Sequence, residues 1–313
     1  MTRFDIMWWV RGGGLVVALG LITSGCSIKR MAVNRLGDAL AAGGKTFSSD
    51  EDPDLIAQAA PFSLKTMETL LAESPNHVEL RRAAAAGFVQ YAYAFVQQEA
   101  DQREADDFAA SEALKQRARR LYLRARNHGL RGLEVRHPGF EKQLRTDAKT
   151  AVSSLSATEV PLLFWTGAAW AAAIAQSKDQ PDLIGELPLV EALLERALAL
   201  DEAWNYGAIH GVFIQYEMIR PGNDPEAPAK ARRHFDRVVQ LSGGQLAGPY
   251  LGLAEAVAMP RNDRAQFESL LQQALKVDPD SREEWRLENL VMQRRARWLL
   301  GRVDELFVQK AKP

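Results

Sequence analysis

The sequence predicts an all-α fold, and three observations predict it. Apolar residues recur at helical spacing, as in Leu55, Ala59, Phe62, Met67, Leu70 and Leu71 and again in Leu189, Ala192, Leu193, Ala197 and Leu200, while no comparable run alternates strictly. Alanine-rich runs at 81–87 and 167–173 favour helix over strand. Turn chemistry divides the chain at Asp52-Pro53, Ser74-Pro75-Asn76, Asn127-His128-Gly129, His137-Pro138-Gly139, the Pro-Gly-Asn-Asp-Pro run at 221–225, Ser242-Gly243-Gly244 and Asp278-Pro279-Asp280. About ten to twelve helices fit between these breaks. Of the 313 residues 47% are hydrophobic and 25% charged, with 39 basic against 40 acidic side chains, which excludes disorder, collagen and a disulfide scaffold and gives no global attraction to nucleic acid.

The first element, residues 1–25, reads as an export signal. Arg3 and Arg11 supply a positive leader, residues 15–22 (LVVALGLI) an apolar run too short to span a bilayer, and Thr23, Ser24 and Gly25 the small residues before Cys26. Cys26 is the only cysteine, so it forms no intramolecular disulfide, and its place at the junction marks it for lipid attachment rather than as a buried thiol. The junction resembles a bacterial lipobox, with Thr23 where leucine is commonest. That resemblance implies an acylated first residue of the mature chain, and several acyl chains hold a protein on a membrane durably. Ser27, where aspartate is associated with inner-membrane retention, points to the outer membrane. Residues 26–53 then form a lipidated segment and linker, and 54–313 a helical domain.

Within that domain several helix ends look alike: LLAESP at 70–75, LALD at 198–201 and LKVDP at 275–279. Asp201 and Asp278 stand 77 positions apart, two units of about 38 residues with the Leu241-Ser242 break near the middle, a lengthened version of the 34-residue tetratricopeptide unit. The expected architecture is a superhelix of degenerate tetratricopeptide-like helix-turn-helix pairs, each covering the apolar face of its neighbour and together leaving a concave inner surface.

The stretches at 47–75 (FSSDEDPDLIAQAAPFSLKTMETLLAESP), 118–140 (ARRLYLRARNHGLRGLEVRHPGF), 160–174 (VPLLFWTGAAWAAAI), 204–217 (WNYGAIHGVFIQYE) and 293–307 (QRRARWLLGRVDELF) resemble the T-component (TatT) family associated with TRAP transporters. The likeness runs over almost the whole mature chain. It implies a periplasm-facing lipoprotein of degenerate tetratricopeptide-like helix pairs, able to form a homotrimer with a central pore and to associate with a TRAP-type periplasmic substrate-binding protein. It implies no catalysis. The reading from a different class is an envelope scaffold that binds no ligand and uses its grooves to hold another protein's helix or tail.

The residues themselves supply no competing chemistry. Gly43-Gly44-Lys45-Thr46 lacks the glycine that a phosphate-binding loop needs five positions before Gly44, where Ala39 stands. The histidines 77, 128, 137, 210 and 234 form no HExxH and no pair at ligand spacing, so neither a metal nor another cofactor is expected. There is no GxSxG elbow, and the adjacent acids Asp106-Asp107 and Glu283-Glu284 diverge on a helix.

Candidate binding residues are therefore aromatic and basic. Residues 160–175 are apolar except for Thr166, which reads first as a buried central helix and second as a place where Trp165 or Trp170 lines a ligand tunnel. Tyr206, His210 and Phe213 fall on one helix face, with His210 read first as a hydrogen-bonded core histidine and second as a cavity residue. Phe88, Tyr91 and Phe95 make a similar stripe, with Tyr93 off it. A cavity of such groups suits a small hydrophobic ligand, whereas a carboxylate ligand needs a cation, for which Arg131 is the candidate. Arg131 belongs to a basic stretch with Lys115, Arg117, Arg119, Arg120, Arg124, Arg126 and Arg136. Export argues against nucleic acid there, leaving a solvated helix face or, through Arg120 and Arg124 on one face, a docking surface for an acidic protein or anionic lipid.

Overall fold

The computed structural model describes residues 31–307 apart from 178, 221 and 223, and every regular element among the described residues is helical. The export signal and Cys26 lie outside them. Residues 31–42 form α1, and a short helix follows at Gly44–Ser48, so the segment expected to be a linker is largely helical. Asp52 starts α2 (Pro53–Glu73) by accepting hydrogen bonds from the amides of Asp54 and Leu55, with Pro53 in the first turn where no donor is lost. Helix α3 runs from Val78–Tyr91 through a wide π-helical turn, Ala92–Gln97, into Gln98–Arg103. Asp107 caps α4 (Phe108–Arg136) through the amide of Ala110.

Two short helices, α5 (Phe140–Thr146) and α6 (Ala148–Ser153), lead to α7 (Val160–Ala175) and α8 (Leu187–Leu200). The chain continues as α9 (Trp204–Ile219), α10 (Ala227–Ser242), α11 (Gly248–Leu253, prolonged by a second π-helical turn at Ala254–Ala258), α12 (Arg264–Lys276) and α13 (Arg286–Gly301). The three helix ends read as alike in the sequence are all real, with α2 stopping at Glu73, α8 at Leu200 and α12 at Lys276, and the break near the midpoint falls where α10 stops at Ser242.

Helix α4 packs between α3 and α7, and α7 packs in turn on α8. Glycines make the α4 to α7 approach close: a methyl group at Gly129 would stand 2.1 Å from Thr166 Oγ1 and 3.3 Å from its Cα. Around this contact lies one hydrophobic core, with Trp170, Leu163, Leu193 and Phe213 all sealed from solvent. A second core joins α9 to α13 through Phe235, Leu251, Phe267, Leu271 and Leu299.

The end of the chain returns to its beginning. Arg286 Nη1 donates to the Ser49 carbonyl at 2.8 Å, Arg294 pairs with Asp54 at 2.7 Å, and Tyr93 Oη meets Met292 Sδ at 3.9 Å. Helix α13 therefore packs on α2 and on the Gly44–Ser48 helix. No described helix is long and apolar enough to cross a membrane.

Candidate functional site

Two π-helical turns point at one place. A π-turn inserts a residue into a helix and redirects the side chains near it, and such turns concentrate at functional sites. The first turns Tyr93 toward α13, and the second carries Glu255 to the same helix. Between them Arg295 of α13, only 8% exposed, donates from Nε to both Glu255 oxygens at 3.1 Å and from Nη2 to Oε1 at 2.6 Å. Its Nη1 lies 2.8 Å from Asp101 Oδ2 at the end of α3.

The electrostatics follow from burial. Desolvation raises the Asp101 carboxyl above its ordinary range despite Arg295 beside it. Burial alone would lower the guanidinium of Arg295, but Glu255, Tyr93 and Asp101 outweigh it and hold the charge firmly. The Tyr93 phenol is pushed up to about 12, first by desolvation. Two turns before Arg295 on the same helix face, and one on either side of Met292, stands Glu288. Glu288 reaches solvent, yet desolvation raises its carboxyl as well. Its Oε1 would be 3.5 Å from a methyl group at Gly248. Arg295 itself is matched by two carboxylates, Glu255 and Asp101, while Glu288 stands exposed on the same helix.

Of the residues singled out in the sequence, the structure gathers few together. Trp165 is half-buried, edge-on to Phe164 at 4.9 Å, and keeps one accessible side. Trp170 lines no cavity: it is 0% exposed, its Nε1 donates to Glu186 Oε2 at 2.8 Å, and Arg126 covers its ring at 4.9 Å. Arg126 and Glu186 themselves line a surface cleft with Leu123, Pro181 and Leu183. Tyr91 is half-buried under Arg117, whose Nη2 donates to the phenol at 3.2 Å.

The expected face of Tyr206, His210 and Phe213 does not form. Asn205, Tyr206 and Gly207 all take left-handed backbone angles (φ 46, 57 and 86), which breaks the helical spacing before His210. Tyr206, 38% exposed, sits edge-on to Trp285 at 4.8 Å beneath Arg282, whereas His210 is buried. His210 Nδ1 meets His234 Nδ1 at 2.8 Å, and its Nε2 lies 3.3 Å from Glu202. One imidazole must donate and the other accept, so the contact requires at least one neutral ring.

On α4 the basic residues separate. Arg120 is exposed. Arg124, also exposed, is engaged with both oxygens of Glu68, Nη2 to Oε2 at 2.7 Å, and covers Phe88 at 5.2 Å. Arg131 is exposed, and its charge helps lower the Glu134 carboxyl, whose main support is two backbone amides, those of Gly139 and Glu141. Arg131 is no part of the Arg295 set. Among the described residues no group of three or more His, Cys, Asp or Glu side chains could hold a metal ion.

The chain from 49 to 307 matches the family described as TRAP transporter T-component. The chain belongs to that family. A protein of Treponema pallidum (strain Nichols), described as uncharacterized, is 30% identical over 306 residues, covering 92% of this chain and 95% of its own. For this T-component chain the family gives a role in TRAP transport. Sequence reasoning missed Arg295 and Glu288 on α13, Glu255 on the second π-turn and Asp101 on α3, which only the fold brings near one another. Tyr93 left one signal, its place off the aromatic stripe of α3.

Proposed function

We propose that this T-component is a periplasm-facing lipoprotein, acylated at Cys26 and held on the outer membrane, that docks a TRAP-type periplasmic substrate-binding protein and passes a small ligand along its interior. The observation that carries the reading is the family match over residues 49–307. The return of α13 onto the helices near the start of the domain supports an enclosed path, and the half-buried Trp165 is the aromatic candidate for its wall. Tetratricopeptide-like pairing of the helices and a homotrimer are part of this proposal, as is the absence of catalysis. Of the two ligand classes the neutral or apolar one is favoured, because Arg295 is already matched by Glu255 and Asp101 and leaves no spare cation for an organic acid.

Docking is assigned to the exposed basic side of α4. Arg120→Glu is the cleaner variant, since reversing Arg124 would also break its pair with Glu68. Native mass spectrometry of the mature protein with the substrate-binding protein of its own host tests the reading. A complex that Arg120→Glu weakens roughly tenfold, about 1.4 kcal/mol, supports it. No complex at micromolar concentrations would remove the transport partner and leave the ligand-free scaffold.

A further inference from the structure

Helix α1 is apolar on two sides. Its inner side belongs to the body: Val33 and Leu40 pack against the core cluster of Leu64, Leu70, Leu71 and Leu80. Ser74 Oγ donates to Asn34 Oδ1 at 2.6 Å, and His77 Nε2 lies 3.2 Å from both the Asn34 carbonyl and Asp38 Oδ1. Gly37 lets the ring in, for a methyl group there would stand 2.8 Å from His77 Nε2. The outer side exposes Ala32, Arg35 and Ala39 together with Met31 and Leu36, which are 59% and 51% accessible. A surface helix of a globular protein ordinarily turns polar groups outward.

Charge follows the same division. From Cys26 to residue 49 the sequence holds Lys29, Arg30, Arg35 and Lys45 against Asp38 alone, an excess of three positive charges. The whole chain is −1 and residues 1–25 carry one net positive charge, so residues 50–313 are −5. Asp38, the one acid of the basic segment, is 62% exposed and lies 3.2 Å from His77 Nε2.

We propose that α1 lies flat on a bilayer containing anionic phospholipid, with Met31, Arg35 and Leu36 against the lipid surface and the acidic body turned away. This rests on acylation of Cys26, five residues before Met31. At no more than about 3.6 Å per residue the helix cannot stand further than about 18 Å from its anchor. Tethering at that range raises the local concentration of the surface into the millimolar range or above, so a patch too weak to bind membrane alone stays docked. Basic side chains beside the acyl chains are attracted to anionic headgroups, and the net negative body is repelled by them. Because α1 is fixed to α2 and α3 through Asn34, Gly37 and Asp38, its docking orients the whole domain instead of leaving it on a free leash.

The test uses the mature acylated protein in vesicles of phosphatidylethanolamine and phosphatidylglycerol, with a nitrobenzoxadiazole label at Ala39→Cys, or at Asp236→Cys, exposed on α10. Intact mass is measured on the same samples. Quenching by a lipid-borne nitroxide several-fold stronger at position 39 than at 236, lost when Met31→Glu and Leu36→Glu are added with helical content unchanged, is the expected result. Equal quenching at the two positions with the acyl mass present overturns the docking and leaves the anchor standing. Persistent quenching in the double glutamate variant overturns the assignment to this face. An unmodified Cys26 overturns the anchor and the docking together.

Discussion

Arg295 is the buried cation that Glu255 and Asp101 share. Truncating one partner of a buried ion pair leaves the other charges desolvated and unmatched, which costs far more than the pair itself contributes. Arg295→Ala is expected to lower stability by about 3 kcal/mol, read as a shift of the urea midpoint, while Arg294→Ala at the exposed Asp54 pair shifts it by less than about 1 kcal/mol. The histidine pair makes a second prediction. Desolvation first, then the nearby charges of His210, Arg233 and Arg220, lowers the His234 imidazole to about 4, and desolvation lowers His210 as well. An unfolded histidine takes its proton near 6.5, so between the two values the unfolded chain binds more protons and acid favours unfolding. The contribution is complete above pH 6.5 and is lost as pH falls toward 4, at most about 3 kcal/mol for His234. Denaturation at a series of pH values should show this slope, and His234→Gln should flatten it.

At the scale of the element, the α4 to α7 contact is set by glycine. Gly129 faces the backbone and hydroxyl of Thr166, whose Oγ1 is already donating to the Leu162 carbonyl at 2.6 Å, whereas a methyl group at Gly132 would meet the side-chain end of Leu162 at 2.8 Å and Arg81 Cβ at 3.8 Å. Gly129→Ala is therefore expected to cost about 3 kcal/mol and Gly132→Ala about 1 kcal/mol or less, measured by thermal or urea unfolding. This contact was half legible. The alanine-rich apolar run of 160–175 pointed to a buried central helix, and α7 is one, but which glycine touches which neighbour depends on packing between helices. Helix starts and stops read well because their causes are local: Asp52-Pro53 before α2, Gly243 with its left-handed backbone (φ 63) after α10, and the Asp278-Pro279-Asp280 turn after α12. The π-turns did not, since nothing in AYAFVQ or AEAVA separates a π-turn from the α-helix around it. The left-handed break at 205–207 had a readable hint in Asn205 and Gly207, two residue types that tolerate positive φ, though Tyr206 between them reads as ordinary helix.

Over the whole molecule, the candidate site depends on residues that local pattern cannot connect. Arg295 reaches Asp101 across 194 positions and Met292 reaches Tyr93 across 199, so the α13 segment QRRARWLL looks like an ordinary basic helix until its partners are placed. The same distances predict how the fold fails. Removing α13 by ending the chain at Asp280 would uncover Phe267 and Leu271 and strand Asp101 and Glu255 without their cation, so hydrogen exchange in the truncated chain should quicken at α3 and α11 as well as at α12.

The return of α13 also fixes an order of events. A polypeptide is made from its amino end, so the groups that α13 joins, from Ser49 to Glu255, exist before α13 emerges. An open solenoid can nucleate anywhere and settle repeat by repeat. A contact that closes a loop of more than 190 positions bears the entropy of that closure, so the clasp is expected to form late in folding. Until it forms, Asp101 and Glu255 stand without their cation, so the half-made protein carries two acids that the finished one neutralises.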